Sequence, residues 1–120
     1  MSLFCFESEF PIETVSEANT HTHWSRKAKR AKTQRADAHY WCRIKFGVLK
    51  IPEDAKVYIQ LVRLAPRELD SDNLTSAFKA IRDGIADWLK IDDGDKRMQW
   101  EYAQEKIAKT RSMRVLIAVN

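Results

Sequence analysis

No stretch of the 120 residues is apolar for the roughly 20 positions needed to span a bilayer, and the first nine, Met1 to Glu9, carry acid where a signal peptide would carry base. These two absences lead us to expect a protein without a membrane segment, working in the cytoplasm. Only two cysteines are present, Cys5 and Cys42, far apart and without a CxxC spacing, which leaves thiol-based zinc or redox chemistry little support. His21 and His23, one residue apart beside Trp24, suggest a metal or phosphate contact by their spacing, but two histidines in a polar loop are more often solvent-facing and are read so here. Repeats and low-complexity linkers are also lacking, so the length and the 44% of apolar residues suit one domain over 1–120.

The most telling shortage is of mixed charge. Residues 1–18 hold Glu7, Glu9, Glu13 and Glu17 and no base at all. From there to Lys50 the bases are Arg26, Lys27, Lys29, Arg30, Lys32, Arg35, Arg43, Lys45 and Lys50, opposed by Asp37 alone. Such a block binds polyanions by releasing their condensed counterions, which makes nucleic acid the expected partner and Arg26, Lys27, Lys29, Arg30, Lys32 and Arg35 the expected contacts.

Periodicity supplies the elements. Leu3 to Phe10 alternates in part and stops at Pro11, as a strand would. Trp24 to Phe46 contains neither glycine nor proline and repeats alanine, so it reads as a helix ending before Gly47. Bases point from its first half in nearly every direction, leaving no apolar face to dock, whereas Tyr40, Trp41, Ile44 and Phe46 should anchor its second half. Lys56 to Ala65 is a strand with both faces apolar. Leu74, Ala77, Phe78, Ile81, Ile85, Trp88 and Leu89 follow the spacing of one helix over about 72–90. A turn at Asp92-Asp93-Gly94-Asp95 then leads to strands at about 99–107 and 113–119, joined by a basic loop. The order β-α-β-α-β-β predicts an α+β domain, with two helices on a mixed or antiparallel sheet.

Chemistry is suggested by the acids flanking the second helix: Asp70 and Asp72 before it, Asp92 and Asp93 after it. Clustered carboxylates suit Mg²⁺, a hard cation that takes oxygen ligands and can activate water against a phosphodiester. An unbroken helix of about 19 residues would be roughly 28 Å long, so the two pairs meet only if the helix is shorter and the chain turns back, or if a partner subunit supplies one pair. A purely structural reading makes Asp72 a helix cap, Asp92 and Asp93 turn residues, and Lys79, Arg82, Asp83 and Asp87 surface ion pairs.

The stretch Glu68-Leu69-Asp70-Ser71-Asp72-Asn73-Leu74, followed by an amphipathic helix and Asp92-Asp93, resembles the RusA-like family of Holliday-junction resolvases, small endonucleases often carried by phages or prophages. The family's mark is an aspartate, one residue, then Asp-Asn-Leu, with a double aspartate about 20 residues on. The matching part covers about 25 residues. The resemblance implies a homodimer that binds four-way and related branched DNA in recombination and repair and cuts it with Mg²⁺, Mn²⁺ serving as a substitute. Asp70, Asp72 and Asp93 match the catalytic acids, with Asp92 a secondary metal ligand, and Asn73 matches a supporting asparagine. The family's lysine three residues after that asparagine is replaced here by Ser76; Lys79 lies one turn later, about 300° round a continuous helix, where it could stand in. The alternative is a DNA-binding module without catalysis, served by the basic helix around 26–35.

Overall fold

The computed structural model describes residues 4–16 and 23–120, an α+β domain of seven elements. They are β1 (Phe4–Phe10), α1 (Trp24–Phe46), β2 (Val57–Ala65), α2 (Ser71–Ala77), α3 (Lys79–Leu89), β3 (Met98–Lys106) and β4 (Ser112–Val119). The four strands form one mixed sheet in the order β1-β4-β2-β3. β4 runs antiparallel to both β1 and β2, while β3 lies parallel to β2. Parallel neighbours need a crossover, and α2 with α3 provides it, carrying the chain from the end of β2 back to its start.

The register sorts the sheet into two unlike faces. Phe10 pairs with Met113, Phe6 with Ile117, Ile59 with Ile117 and Trp100 with Ile59, so these side chains share one face. The helices cover that face: Phe46 of α1 meets Phe6 and Phe10, and Phe78 stacks on Tyr102 of β3. Ile59, Leu61, Ile81, Ile85, Val115 and Ile117 are fully buried between the layers. Each such side chain contributes about 1.5–3 kcal/mol relative to leaving it in water. On the other face Cys5, Glu7 and Glu9 are exposed; Val62 and Leu64 are buried there, outside the main core.

Two differences from the sequence reading matter. The expected single helix over 72–90 is two, broken at Phe78, whose φ of −95° and ψ of −1° lie at the edge of the helical region. No glycine or proline marks the break. Thr75 Oγ1 instead donates to the carbonyl of Ser71 one turn back, a bond that bends helices, and the ring of Phe78 is drawn fully into the core. The seven apolar positions read from the periodicity are nevertheless all buried. Secondly, α1 docks through small residues. Ala38 and Cys42 are its buried positions, Trp41 and Phe46 are half-buried, and Tyr40 and Ile44 stay exposed. Small residues allow close approach: a Cβ on Gly84 of α3 would stand 2.2 Å from the carbonyl oxygen of Arg35. The cysteines are free, as a reading of buried or idle thiols expects: Cys42 is buried and its thiol pKa pushed up by desolvation, and Cys5 is exposed. Leu3, Glu17 and His21 lie outside the described residues. Among the described residues no helix is long and apolar enough to cross a membrane.

Candidate functional site

The turn after β2 carries Asp70, and two side chains hold it in place. Gln104 of β3 bonds Leu69 at both backbone groups, accepting from its N–H at 2.9 Å and donating to its carbonyl at 2.7 Å. Arg63, almost buried at the end of β2, donates to the carbonyl of Arg67. Asp70 is then extended, with φ −68° and ψ 166°, and caps α2. Its Oδ1 accepts from the backbone N–H of Asn73 at 2.9 Å and its Oδ2 from the Asn73 side-chain amide at 3.1 Å. Asn73 thus fixes the orientation of the Asp70 carboxylate. The chain turns helical at once, so Asp72 sits within the first turn of α2 rather than on an extended segment, and Asp70, not Asp72, is the cap. Both acids are exposed.

Asp93 lies elsewhere. Its loop is pinned by Trp100, whose indole N–H donates to the Asp93 carbonyl at 2.9 Å, and by Arg82 of α3. The guanidinium of Arg82 lies over the Trp100 ring, 4.8 Å from its centroid, and donates to Tyr102 Oη at 2.8 Å and to the Asp93 carbonyl at 3.1 Å. Its Nε stands 3.1 Å from Asp93 Oδ2, an ion pair without the alignment of a hydrogen bond. Asp92, beside it, is exposed. The predicted convergence of Asp70, Asp72 and Asp93 is therefore not reached within one chain: no three His, Cys, Asp or Glu side chains among the described residues gather closely enough to hold a metal ion. The chain does turn back after α3, but β3 opens at Met98, five residues beyond Asp93.

Lys79 starts α3 just past the break, so its relation to Ser76 is not that of one continuous helix. It pairs with Asp83 at 3.2 Å, as the surface-pair reading had it. Asp87 pairs across helices instead, taking Arg35 of α1 at 2.6 and 2.9 Å, which holds its carboxylate below the ordinary range. Lys79 and Ser76 line one groove of about 310 Å³ with Lys27 and Ala31 of α1. The basic half of α1 thus reaches the α2–α3 junction. Arg26, Lys29, Lys32 and Arg35 are exposed, and Lys27 and Arg30 half-buried. His23 is exposed and caps α1 through Nδ1, which accepts from the Ser25 N–H.

Arg63, Arg82, Trp100, Tyr102 and Gln104 were not legible as site residues. Four of them are on strands whose inward face could be read from alternation, but nothing local announces their partners.

No family model matches the chain. An uncharacterized protein of Xylella fastidiosa (strain Temecula1) is 35% identical over 78 residues, 62% of this chain and 51% of its own length. The chain spans about half the length of this curated relative. A solved 2C-methyl-D-erythritol-2,4-cyclodiphosphate synthase overlaps 55% of this chain and 41% of its own at 18% identity, with a TM-score of 0.33, too low to define a shared fold.

Proposed function

We propose that the chain is a Mg²⁺-dependent endonuclease of the RusA-like kind, acting on four-way and other branched DNA as a homodimer. The observation that carries this reading is the shared groove: Lys27 of the basic helix and Lys79, with its partner Asp83, line it at the junction that follows the Asp-x-Asp-Asn segment. A polyanion laid along α1 would be led toward Asp70 and Asp72. Exposed carboxylates two residues apart offer the hard oxygen donors that Mg²⁺ takes, alongside waters and substrate phosphate. When bound, the ion supplies an activated water and charge neutralisation at the phosphate. Asn73 orients Asp70, Lys79 exchanges Asp83 for the phosphate, and the exposed Arg26, Lys29 and Lys32 grip the backbone, Arg35 being held by Asp87. Asp93 joins as a third acid on release from Arg82.

One observation favours a second reading, a DNA-binding module without catalysis. Asp70 is spent on a cap and Asp93 on an arginine, as structural acids would be. Incubating the protein with four-way, three-way and linear duplex DNA, in Mg²⁺ and in chelator, separates the two. Cleavage of branched DNA in Mg²⁺ alone, abolished by Asp72→Asn while junction binding persists, is the expected result. Cleavage by Asp72→Asn at the parent's rate would refute the assigned site, and magnesium-independent binding without any cleavage would establish the binding module.

A further inference from the structure

The far end of the molecule, where β2 and β3 begin, carries a second concentration of positive charge that the sequence order disperses. Three adjoining clefts wrap this end. One of about 290 Å³ is lined by His39, Arg43, Val48, Trp88 and Lys90. It shares Val48, Trp88 and Lys90 with a second, of about 430 Å³, to which Lys50 and Arg97 also contribute. Arg97 in turn joins a third, of about 470 Å³, with Lys56 and Lys96. Among the described residues lining them are the cations Arg43, Lys50, Lys56, Lys90, Lys96 and Arg97, with no Asp or Glu side chain; Asn120 also lines the third. Arg97 is paired to Asp95 at 3.2 Å, just outside the clefts. Lys90 is held with φ at 58°, a left-handed conformation normally left to glycine or asparagine at a helix end. There Lys90 lines two of the clefts at once.

We infer that this track is a second phosphate-backbone contact for duplex DNA, distinct from the basic half of α1. The inference rests on the DNA reading above. A cationic path lined by no Asp or Glu side chain suits a polyanion, and its concavity suits a backbone better than a flat surface. Lys29 and Arg43 lie about 20 Å apart along the helix axis, a distance duplex DNA crosses in about six base pairs. One arm of modest length could therefore touch both regions.

The test is fluorescence anisotropy of a 20-base-pair duplex and a four-way junction without divalent metal, across a series of salt concentrations. The proteins compared are the parent, the variant Lys50→Gln/Lys56→Gln/Lys90→Gln/Lys96→Gln, and the corresponding Lys→Arg set, each checked for an unchanged melting curve. We expect the Gln variant to bind about tenfold more weakly at ~0.1 M salt, with a salt slope shallower by about 2 to 4, since each lost contact removes about 0.9. The Arg set should restore both. Affinity and slope equal to the parent's would overturn the track while leaving the DNA reading intact, and so would an Arg set as weak as the Gln set. If the parent binds neither DNA, the DNA reading itself fails and the track with it.

Discussion

Both oxygens of Asp70 are engaged by Asn73, one through the backbone N–H and one through the side-chain amide, so capping and metal ligation draw on the same atoms. The two roles separate by substitution. Asparagine caps a helix about as well as aspartate but lacks the charge that holds a divalent cation, whereas alanine does neither. Asp70→Asn should therefore keep the parent's urea midpoint and lose Mg²⁺-dependent cleavage. Asp70→Ala should lose cleavage and, in addition, about 1 kcal/mol of stability. Full cleavage by Asp70→Asn would reduce Asp70 to a cap. The acids themselves were readable from spacing, because aspartates at fixed offsets are a sequence property. What Asp93 touches was not: Arg82, Trp100 and Tyr102 come to it from α3 and β3, and only the fold brings those elements together.

At the scale of elements, the contact between α1 and α3 governs whether the basic helix stands where it does. Gly84 lets the backbone of α1 approach so closely that a methyl group would enter the Arg35 carbonyl. Alanine gains about 1 kcal/mol of helix propensity over glycine, but overpacking of about 1–3 kcal/mol or more opposes it, and the backbone atom it meets cannot swing aside. Gly84→Ala should lower the urea midpoint and weaken DNA binding together, since α1 must shift; an unchanged midpoint would mean that the two helices sit farther apart. The same contact carries a pH signature. Arg35 lowers the pKa of Asp87, chiefly through their hydrogen bond, so the pair's stabilisation is complete above the unfolded carboxylate value, about 3.9. It is lost as pH falls through the lower folded value. The parent should exceed Asp87→Asn in urea midpoint at pH 6, and the gap should close as the pH drops below about 4. Strand limits were nearly legible from alternation, and α1 from its lack of glycine and proline. The break at Phe78 was not, because it arises from the Thr75 back-bond and from the pull of a core that periodicity alone cannot see.

For the whole molecule, a site that joined Asp93 to Asp70 and Asp72 would be completed either within one chain or across a dimer. Arg82, which holds Asp93, lies three residues from Lys79 on the same helix and bonds Tyr102, whose ring stacks on Phe78 beside Lys79. Asp93 is thus tied to the helix that borders the proposed site, and assembly within a chain would require its release from Arg82. Mixing Asp72→Asn with Asp93→Asn protein, unfolded and refolded together, separates the two cases. If each site is built from one chain, every subunit in the mixture carries one lesion in its own site, and cleavage of a four-way junction should stay at the level of either variant alone. If sites are shared, a mixed dimer unites the intact Asp72 of one chain with the intact Asp93 of the other, and about half of the dimers should regain one working site. Recovery of cleavage on mixing would place Asp93 with the partner and make the Arg82 ion pair a feature of the separate chain.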